Sequence, residues 1–308
     1  MRGVVCKGIS KTYDRKTYAL RNMSFSFPDR GIVAMIGRNG AGKTTLMRIM
    51  ATELMPSKGS ATINGIDVVK EPGRVRELIA IVPQEARVMP WLTPRQTVLS
   101  YLLYRGFGYH EALTRARRSL GKLGIGKFEN VLGHKLSGGT KRKVLVATVL
   151  ASEAKIIFLD EPTTGLDPIS RAEVWRLLQR LKSNYLIFLT THYLEEAELL
   201  ADSIGIIDRG KLLAMGSIDE LRKKAGQQYS IRVTQEVKPR SLRGYKTTKF
   251  EGGHQLMTSE KKAFELSDKL IREKARFTIN PVSLEDIFYR FAKKSIESEE
   301  TSGGGDEW

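Results

Sequence analysis

A glycine-rich stretch at residues 37–45 carries the residue types that bind phosphate. It lies between an apolar run at 31–36 and a helical pattern that begins at Leu46, and it consists of Gly37, Arg38, Asn39, Gly40, Ala41, Gly42, Lys43, Thr44 and Thr45. A glycine turn that opens a helix aims backbone N–H groups at an anion. Lys43 can supply a mobile positive charge to β- and γ-phosphates, and the hydroxyl of Thr44 can bind Mg²⁺. The spacing predicts a triphosphate site; the alternative is an ordinary glycine turn that caps a core helix.

Two carboxylates, Asp160 and Glu161, end an apolar run at 156–159. Desolvation penalises unpaired charge, so two acids at the end of a buried parallel strand seldom serve stability alone. Asp160 can hold Mg²⁺ through water, and Glu161 can orient or deprotonate an attacking water. The pair therefore indicates metal-assisted hydrolysis.

Two further polar residues follow predicted strands. Gln84 comes after the strand at 78–82, and its neutral amide could reach a metal or the attacking water. Taken alone, Gln84 is better explained as a polar loop residue. His192 stands at the end of the strand at 186–189. Ligands of parallel sheets gather at the carboxyl ends of the strands, so His192 is a candidate sensor of the γ-phosphate.

A second helix N-terminus is suited to an anion. Ser137 precedes Gly138 and Gly139 and a helical pattern at 141–151. Serine is a good N-cap, and glycines in the first turn leave N–H groups bare. The alternative is an ordinary helix cap.

Tyr13 lies in a polar loop, residues 11–16, between alternating runs at 4–9 and 23–27 that predict an antiparallel pair. Its ring could stack on an adenine, or it could be a half-buried aromatic residue of the turn.

The remaining pattern predicts the elements around these residues. A hairpin turns at Asn64, a capping box with proline begins at Thr93, and residues 86–152 are predicted to form an all-helical insertion. The composition shifts after Gly226. We expect a main domain at 1–226, a small α+β domain at 227–294 with a last helix through Lys294, and a disordered tail at 295–308.

Composition limits the class of protein. The chain has 308 residues, a net charge of +17 and one cysteine, Cys6, which excludes an intramolecular disulfide and suits a reducing compartment. No apolar run approaches the ~18 residues of a membrane span, and charge follows the first residues too soon for a signal peptide, so we expect a cytosolic protein. Basic residues concentrate at 1–50, at 222–249 and around Arg115, Arg117, Arg118, Lys141, Arg142 and Lys143. Solvated faces, an anionic membrane leaflet and nucleic acid each explain them.

With these motifs placed, the chain resembles the nucleotide-binding subunit of an ATP-binding cassette transporter. The resemblance spans nearly all of residues 1–220 and rests on six motifs in family order: residues 37–45, Gln84, residues 136–139, Asp160 with Glu161, residues 165–167 and His192. Residues 280–288 also resemble a C-terminal motif of the drug-exporter type. The resemblance implies an α/β fold with a P-loop NTPase (RecA-like) core, an antiparallel β-subdomain, a helical insertion and a small C-terminal α+β appendage.

The resemblance also implies roles for the site residues. Tyr13 stacks on adenine, residues 37–45 bind ATP, Thr44, Gln84 and Asp160 hold Mg²⁺, and Lys43, Glu161 and His192 are catalytic. Ser137, Gly138 and Gly139 contact the ATP of a second subunit. Two positions depart from the family pattern: Thr140 stands where Gln is usual, and Arg38 replaces a small residue or proline.

These roles imply an ATPase that powers export by ATP-driven pairing of two cassettes. The partners are then a second cassette, identical or different, and a separate transmembrane permease, with the chain peripheral on the cytoplasmic face of the cell membrane. The alternative is a soluble cassette ATPase that acts on nucleic acid or ribosomes, which the charge of +17 favours. Relatives of that kind usually carry two cassettes or a long coiled-coil insertion, so nucleic acid is the less favoured partner. A hydrolytically dead cassette is disfavoured because every expected catalytic residue is present.

Overall fold

The computed structural model describes residues 2–14, 16–234, 240–250 and 252–302. The chain forms two compact units, Met1–Leu212 and Leu213–Trp308. The sequence predicts the division after residue 226 instead. The division comes earlier because the helix at 218–225 bonds within the second unit, where Arg222 Nε donates to the carbonyl of Val282 at 2.8 Å.

The first unit alternates strands and helices. In chain order they are β1 (Arg2–Thr12), β2 (Tyr18–Pro28), β3 (Gly31–Ile36), α1 (Lys43–Met50), β4 (Lys58–Ile63), β5 (Ile66–Asp67), α2 (Pro72–Leu78), β6 (Ile79–Val82), α3 (Pro94–Tyr104), α4 (Tyr109–Lys122), α5 (Gly138–Ala151), β7 (Ile156–Asp160), α6 (Pro168–Leu181), β8 (Leu186–Thr191), α7 (Leu194–Leu200) and β9 (Ser203–Asp208). Strand β10 (Lys211–Gly216) crosses the division.

A six-stranded sheet carries the core, in the order β10-β9-β3-β8-β7-β6. The pairs β3–β8, β3–β9, β6–β7 and β7–β8 are parallel. Their side chains are almost all buried, as the continuous apolar runs of the sequence predict. Because the strands are parallel, the residues that follow β3, β6, β7 and β8 meet at one edge of the sheet.

The antiparallel sheet and the helical insertion flank this core. The predicted antiparallel pair is confirmed within a sheet ordered β2-β1-β4-β5. Helix α3 begins with the predicted capping box, in which the Thr93 hydroxyl accepts from the N–H of Gln96. Residues 86–152 contain helices and no strand, as expected. The sequence missed the short helices α2 and α7.

The second unit is an α+β domain. It contains α8 (Ile218–Ala225), β11 (Tyr229–Val233), β12 (Thr248–Phe250), β13 (Gly253–Thr258), α9 (Glu260–Arg272), β14 (Phe277–Pro281) and α10 (Leu284–Ser302), with the sheet order β12-β13-β11-β14. Helix α9 packs Leu266 and Leu270 against Ile231 and Val233 of β11. Helix α10 continues to Ser302, so residues 295–302 are helical rather than disordered, because glutamates there favour helix. Residues 303–308 lie outside the described residues. Within the described residues, every helix is too short or too polar to cross a membrane.

Candidate active site

The phosphate loop links β3 to α1. Gly42 caps the helix at φ 105°, a conformation that L side chains rarely adopt. A Cβ at Gly42 would overlap the carbonyl oxygen of Ala19, and one at Gly37 would overlap that of Ile207. Glycine is therefore required at both positions for the turn to fit between its neighbours.

Lys43 curls back over this loop. Its side chain is buried, and its Nζ donates to the carbonyl oxygens of Gly37 at 2.8 Å and Arg38 at 3.1 Å. Burial lowers the pKa of Lys43, and the charges of Glu161 and Asp160 oppose that shift. The ammonium group thus lies within the field of both carboxylates, and it can exchange a loop carbonyl for a phosphate oxygen.

The turn between β9 and β10 supports the loop from outside. The N–H of Gly210 donates to the carbonyl of Ala41 at 3.0 Å, and the N–H of Arg21 donates to the carbonyl of Gly210 at 2.7 Å. A cavity of about 270 Å³ lies beside this contact, lined by Arg38, Asn39, Gly40, Ala41, Asp208 and Arg209. The loop is therefore bonded to the turn between β9 and β10, and that turn is itself bonded to β2 of the antiparallel sheet.

Glu161 joins three of the predicted site residues. Its Oε2 accepts hydrogen bonds from Gln84 Nε2 at 3.1 Å and from Thr164 Oγ1 at 3.1 Å. The same oxygen lies 3.2 Å from His192 Nδ1. Gln84, Glu161 and His192 follow three adjacent strands, so the parallel sheet brings together residues that are far apart in the chain.

The backbone of Glu161 is strained. Its φ is 48°, a region that few residues other than glycine occupy. Its N–H donates to the carbonyl and the hydroxyl of Thr190, each at 3.1 Å, and its carbonyl accepts from Arg142 Nη2 at 2.7 Å. Such strain persists only where the surroundings hold it, and it commonly marks a functional residue.

Arg142 is buried, although the sequence groups it with surface basic residues. Burial lowers the pKa of its guanidinium, as does the charge of Arg87. The carboxylate of Asp160 is also held by a hydrogen bond. The hydroxyl of Thr190, its register partner on β8, donates to Oδ1 of Asp160. The sequence missed Arg142 and Thr190, since nothing in their local pattern distinguishes them from a surface arginine and an ordinary strand threonine.

Glu196 is a second buried carboxylate that the sequence missed. Its Oε1 accepts from Thr163 Oγ1 at 2.8 Å and from Trp175 Nε1 at 2.9 Å. Its Oε2 is buried without a hydrogen-bond partner. Glu196 therefore ties the segment after Glu161 to α6 and α7. Glu196 lies among other glutamates in the sequence, so the local pattern does not indicate that its side chain is buried.

Tyr13 lies beside the start of α1. Its hydroxyl is 3.3 Å from Thr45 Oγ1, and 64% of the residue is exposed. The sequence allows Tyr13 to stack on an adenine or to be a half-buried aromatic residue of the turn. A residue this exposed agrees less well with the second interpretation. The hydroxyl of the neighbouring Thr44 lies in the first turn of the helix, and Thr44 is exposed.

The second helix N-terminus is open to solvent. Ser137 and Gly138 are exposed, and Ser137 Oγ accepts from the N–H of Thr140 at 3.2 Å. The hydroxyls of Thr140 and Ser137 are 2.9 Å apart, so the threonine at this atypical position extends the cap. Among the described residues, no hydrogen bond or ion pair joins 137–139 to 37–45 within the chain.

These motifs match known proteins. Residues 20–164 match the family described as "ABC transporter". The chain is 37% identical over 250 residues to the doxorubicin resistance ATP-binding protein DrrA of Mycobacterium tuberculosis, which covers 78% of this chain and 72% of DrrA. The chain belongs to the ABC transporter family.

Other relatives are longer. ABC transporter A family member 6 of Arabidopsis thaliana is 31% identical over 322 residues, 96% of this chain, and member 10 is 32% identical over 319 residues. The chain spans about a third of the length of these plant relatives, 34% in each case. ABC ATPase subunits typically dimerise and pair with membrane permease subunits.

Solved cassettes share the fold. The cbiO1 protein of Clostridium perfringens, described as part of the ABC transporter complex cbiONQ, has a TM-score of 0.65 and 26% identity over 72% of this chain and 91% of its own. An ATP-binding cassette in a dimeric post-hydrolysis state with ADP and Pi has a TM-score of 0.61 and 27% identity over 70% of this chain and 98% of its own. These likenesses confirm the predicted P-loop NTPase fold.

The donor set at the sheet edge suits Mg²⁺. Mg²⁺ usually takes one or two protein ligands and fills its octahedron with water and substrate phosphates. Among the described residues, no group of three or more His, Cys, Asp or Glu side chains could form a metal cage of its own. A threonine hydroxyl, one oriented carboxylate and an amide, from Thr44, Asp160 and Gln84, are hard oxygen donors of the required kind.

Proposed function

We propose that this cassette hydrolyses ATP with Glu161 as the residue that orients and deprotonates the attacking water. The observation that carries the proposal is the convergence of Gln84, Thr164 and His192 on Oε2 of Glu161, beside the buried Lys43. Glu161 is buried, and its strained backbone is held by hydrogen bonds with Thr190 and Arg142. His192 would then contact the γ-phosphate, and Lys43 would bind the β- and γ-phosphates.

The chain's own residues would hold the nucleotide. Residues 37–45 present backbone N–H groups and Lys43 to the phosphates, and the exposed ring of Tyr13 offers a stacking face for adenine. Thr44, Asp160 and Gln84 would bind Mg²⁺, which neutralises phosphate charge when present. Asp160 is pre-oriented by the hydroxyl of Thr190, so its carboxylate needs no rearrangement before the metal is bound.

A second cassette would complete each site. The exposed N-terminus of α5 carries Ser137, Gly138 and Gly139 and makes no described polar contact with the phosphate loop of its own chain. Across a dimer it could donate N–H groups to the γ-phosphate. ATP that touches both subunits would favour the closed pair, and hydrolysis would remove that preference. The dimeric cassette among the structural relatives supports this arrangement.

ATP hydrolysis by the cassette would power export through a separate membrane subunit, with the cassette on the cytoplasmic face of the membrane. Support comes from the name of DrrA, a resistance protein, and from that of cbiO1, part of a transporter complex. A groove of about 440 Å³ between α2, β6 and α3, lined in part by Ile81, Tyr101, Tyr104 and Arg105, offers a seat for a short permease helix. The motif at 280–288 includes Ser283, whose hydroxyl bonds Asp286 at 2.8 Å at the start of α10.

A soluble ATPase that acts on nucleic acid is the second candidate, favoured by the net charge of +17. Two measurements separate the candidates. Isolation of a membrane protein with the tagged chain from native membranes supports transport. Stimulation of ATP turnover by DNA or RNA, with no membrane partner recovered, supports the alternative.

The catalytic assignment is tested with Glu161→Gln. We expect steady-state ATP turnover to fall by a factor of about 10² to 10⁴, and ATP to trap a dimer detectable by size exclusion. The matched control is Glu195→Gln, which removes the same charge from an exposed position on α7. Turnover of Glu161→Gln close to that of the control would exclude Glu161 as the base.

A further inference from the structure

A second large cavity lies at the opposite edge of the parallel sheet. Its volume is about 920 Å³. It is lined by the first residue of β7 and by the loop before β8, whereas the candidate active site lies at the carboxyl ends of these strands. The other walls come from α4, from α6 and from the turns at Arg30 and Asn64. Glu161, Lys43 and His192 do not line this cleft, so it is separate from the ATP site.

The cleft is strongly basic. Six cationic side chains line it, from Arg30, Arg115, Arg118, Lys122, Lys155 and Arg180, against the two carboxylates of Asp29 and Glu153. One of these carboxylates is already engaged, because Glu153 pairs with Arg115 at 2.8 Å. Arg115 also pairs with Glu111 on its own helix at 2.8 Å.

The other five cations have no ion-pair partner among the residues that the structure describes. Four of them, Arg118, Lys122, Lys155 and Arg180, come from α4, from α6 and from the loop before β7, and they line one concavity. An ordinary solvated face spreads its charges over a convex surface, where water screens them. Like charges gathered in a concave site with low-dielectric walls raise the local potential and attract anions.

Apolar side chains also line the cleft. They come from Leu123, Leu150, Ile156 and Leu177, which are buried, whereas the four cations named above are exposed. A volume of this order suits a small organic ligand. The walls combine α4 of the helical insertion with α6 and β7 of the core, so a bound molecule would contact both parts of the first unit.

We propose that this cleft binds a small soluble molecule that carries two or more phosphate groups. Several unpaired cations need several negative charges, and guanidinium and ammonium groups form their strongest hydrogen bonds with phosphate oxygens. The site is recessed between three elements, which suits a small molecule better than a flat membrane surface.

The test uses the full-length chain and inorganic tripolyphosphate as the probe, measured by calorimetry without nucleotide. All proteins carry Lys43→Ala, which weakens phosphate binding in the loop at 37–45. The cleft variant adds Arg118→Gln, Lys122→Gln and Arg180→Gln. The matched control adds Lys7→Gln, Lys58→Gln and Lys70→Gln, which remove the same charge from exposed positions outside the cleft.

We expect the Lys43→Ala protein and the control to bind the probe, and the cleft variant to bind it about 100-fold more weakly. Equal weakening in the two triple variants would mean that overall charge, not the cleft, attracts the probe, and would overturn the proposal. Absence of binding to the Lys43→Ala protein would also overturn it. Folding of the cleft variant is checked by circular dichroism and by the ATP turnover of the same triple change made with Lys43 intact.

Discussion

Glu196 provides the sharpest test of how the active site is supported. Its Oε1 is the acceptor for two buried donors, Thr163 Oγ1 and Trp175 Nε1. Glu196→Ala would leave both donors without a partner. Each buried donor without an acceptor costs about 1–3 kcal/mol, so the first unit should lose about 2–6 kcal/mol of unfolding free energy. Glu196→Gln keeps an oxygen for both donors and replaces the unpartnered Oε2, so we expect a loss below about 1.5 kcal/mol.

The assay is urea unfolding followed by the fluorescence of Trp175, whose indole takes part in the contact. The chain has three tryptophans, so Trp91→Phe and Trp308→Phe leave Trp175 as the sole reporter. Trp175 lies in the first unit, and its signal therefore follows that unit alone. With a urea slope of about 2 kcal/mol per M, the midpoint of Glu196→Ala should fall by about 1 M or more.

Steady-state ATP turnover is a second measurement on the same Glu196 variants. Thr163 precedes Thr164, which donates to Glu161. Release of Thr163 should displace this segment and lower kcat by about tenfold or more in Glu196→Ala, with KM for ATP little changed. The reasoning is refuted if Glu196→Ala costs less than about 1 kcal/mol, or if Glu196→Gln is as damaging as Glu196→Ala, since charge rather than the two hydrogen bonds would then dominate.

Four further predictions concern three single positions. Gly42→Ala should abolish binding of a fluorescent ATP analogue and destabilise the first unit by about 3 kcal/mol or more, because a Cβ at this left-handed position overlaps the carbonyl of Ala19; retained binding would contradict the loop geometry. Burial raises the pKa of Cys6 from its ordinary value of 9.0 to about 12, so the folded thiol should resist iodoacetamide at pH 8 and react once urea unfolds the chain. A raised pKa also means that the stability contributed by this thiol is present below pH 9.0 and is lost as the pH rises towards 12, which alkaline unfolding of Cys6→Ala against the parent would measure. Ser137→Ala should cost about 0.5–2 kcal/mol through loss of the cap to Thr140, measured by thermal unfolding, whereas Ser137→Asp should retain the cap.

The parts of the site that the sequence predicted are those encoded locally. The phosphate loop is one continuous stretch, and its glycines, Lys43 and Thr44 are set by spacing alone. Gln84, Glu161 and His192 were predicted because each follows an apolar strand, and a parallel sheet brings such ends to one edge. That rule needs no knowledge of which strands are neighbours.

The parts that the sequence missed depend on packing between distant elements. Arg142 is one arginine among several in its region, and only the fold places it beneath the carbonyl of Glu161. Glu196 resembles its exposed neighbour Glu195, and Thr190 resembles any β-branched strand residue. Burial of a charged side chain is costly and rare, so local patterns favour exposure and fail at such positions.

The hydrogen bonds at Glu161 suggest how distant parts of the cassette could influence hydrolysis. One oxygen, Oε2, is contacted by Gln84 after β6, by Thr164 after β7 and by His192 after β8. With these contacts on Oε2, the attacking water can approach Oε1, or it can approach Oε2 after one contact is given up. Gln84 stands just before the helical insertion at 86–152, so a movement of that insertion would remove one hydrogen bond from the carboxylate of Glu161. Coupling between the insertion and ATP hydrolysis therefore requires no large rearrangement of the phosphate loop.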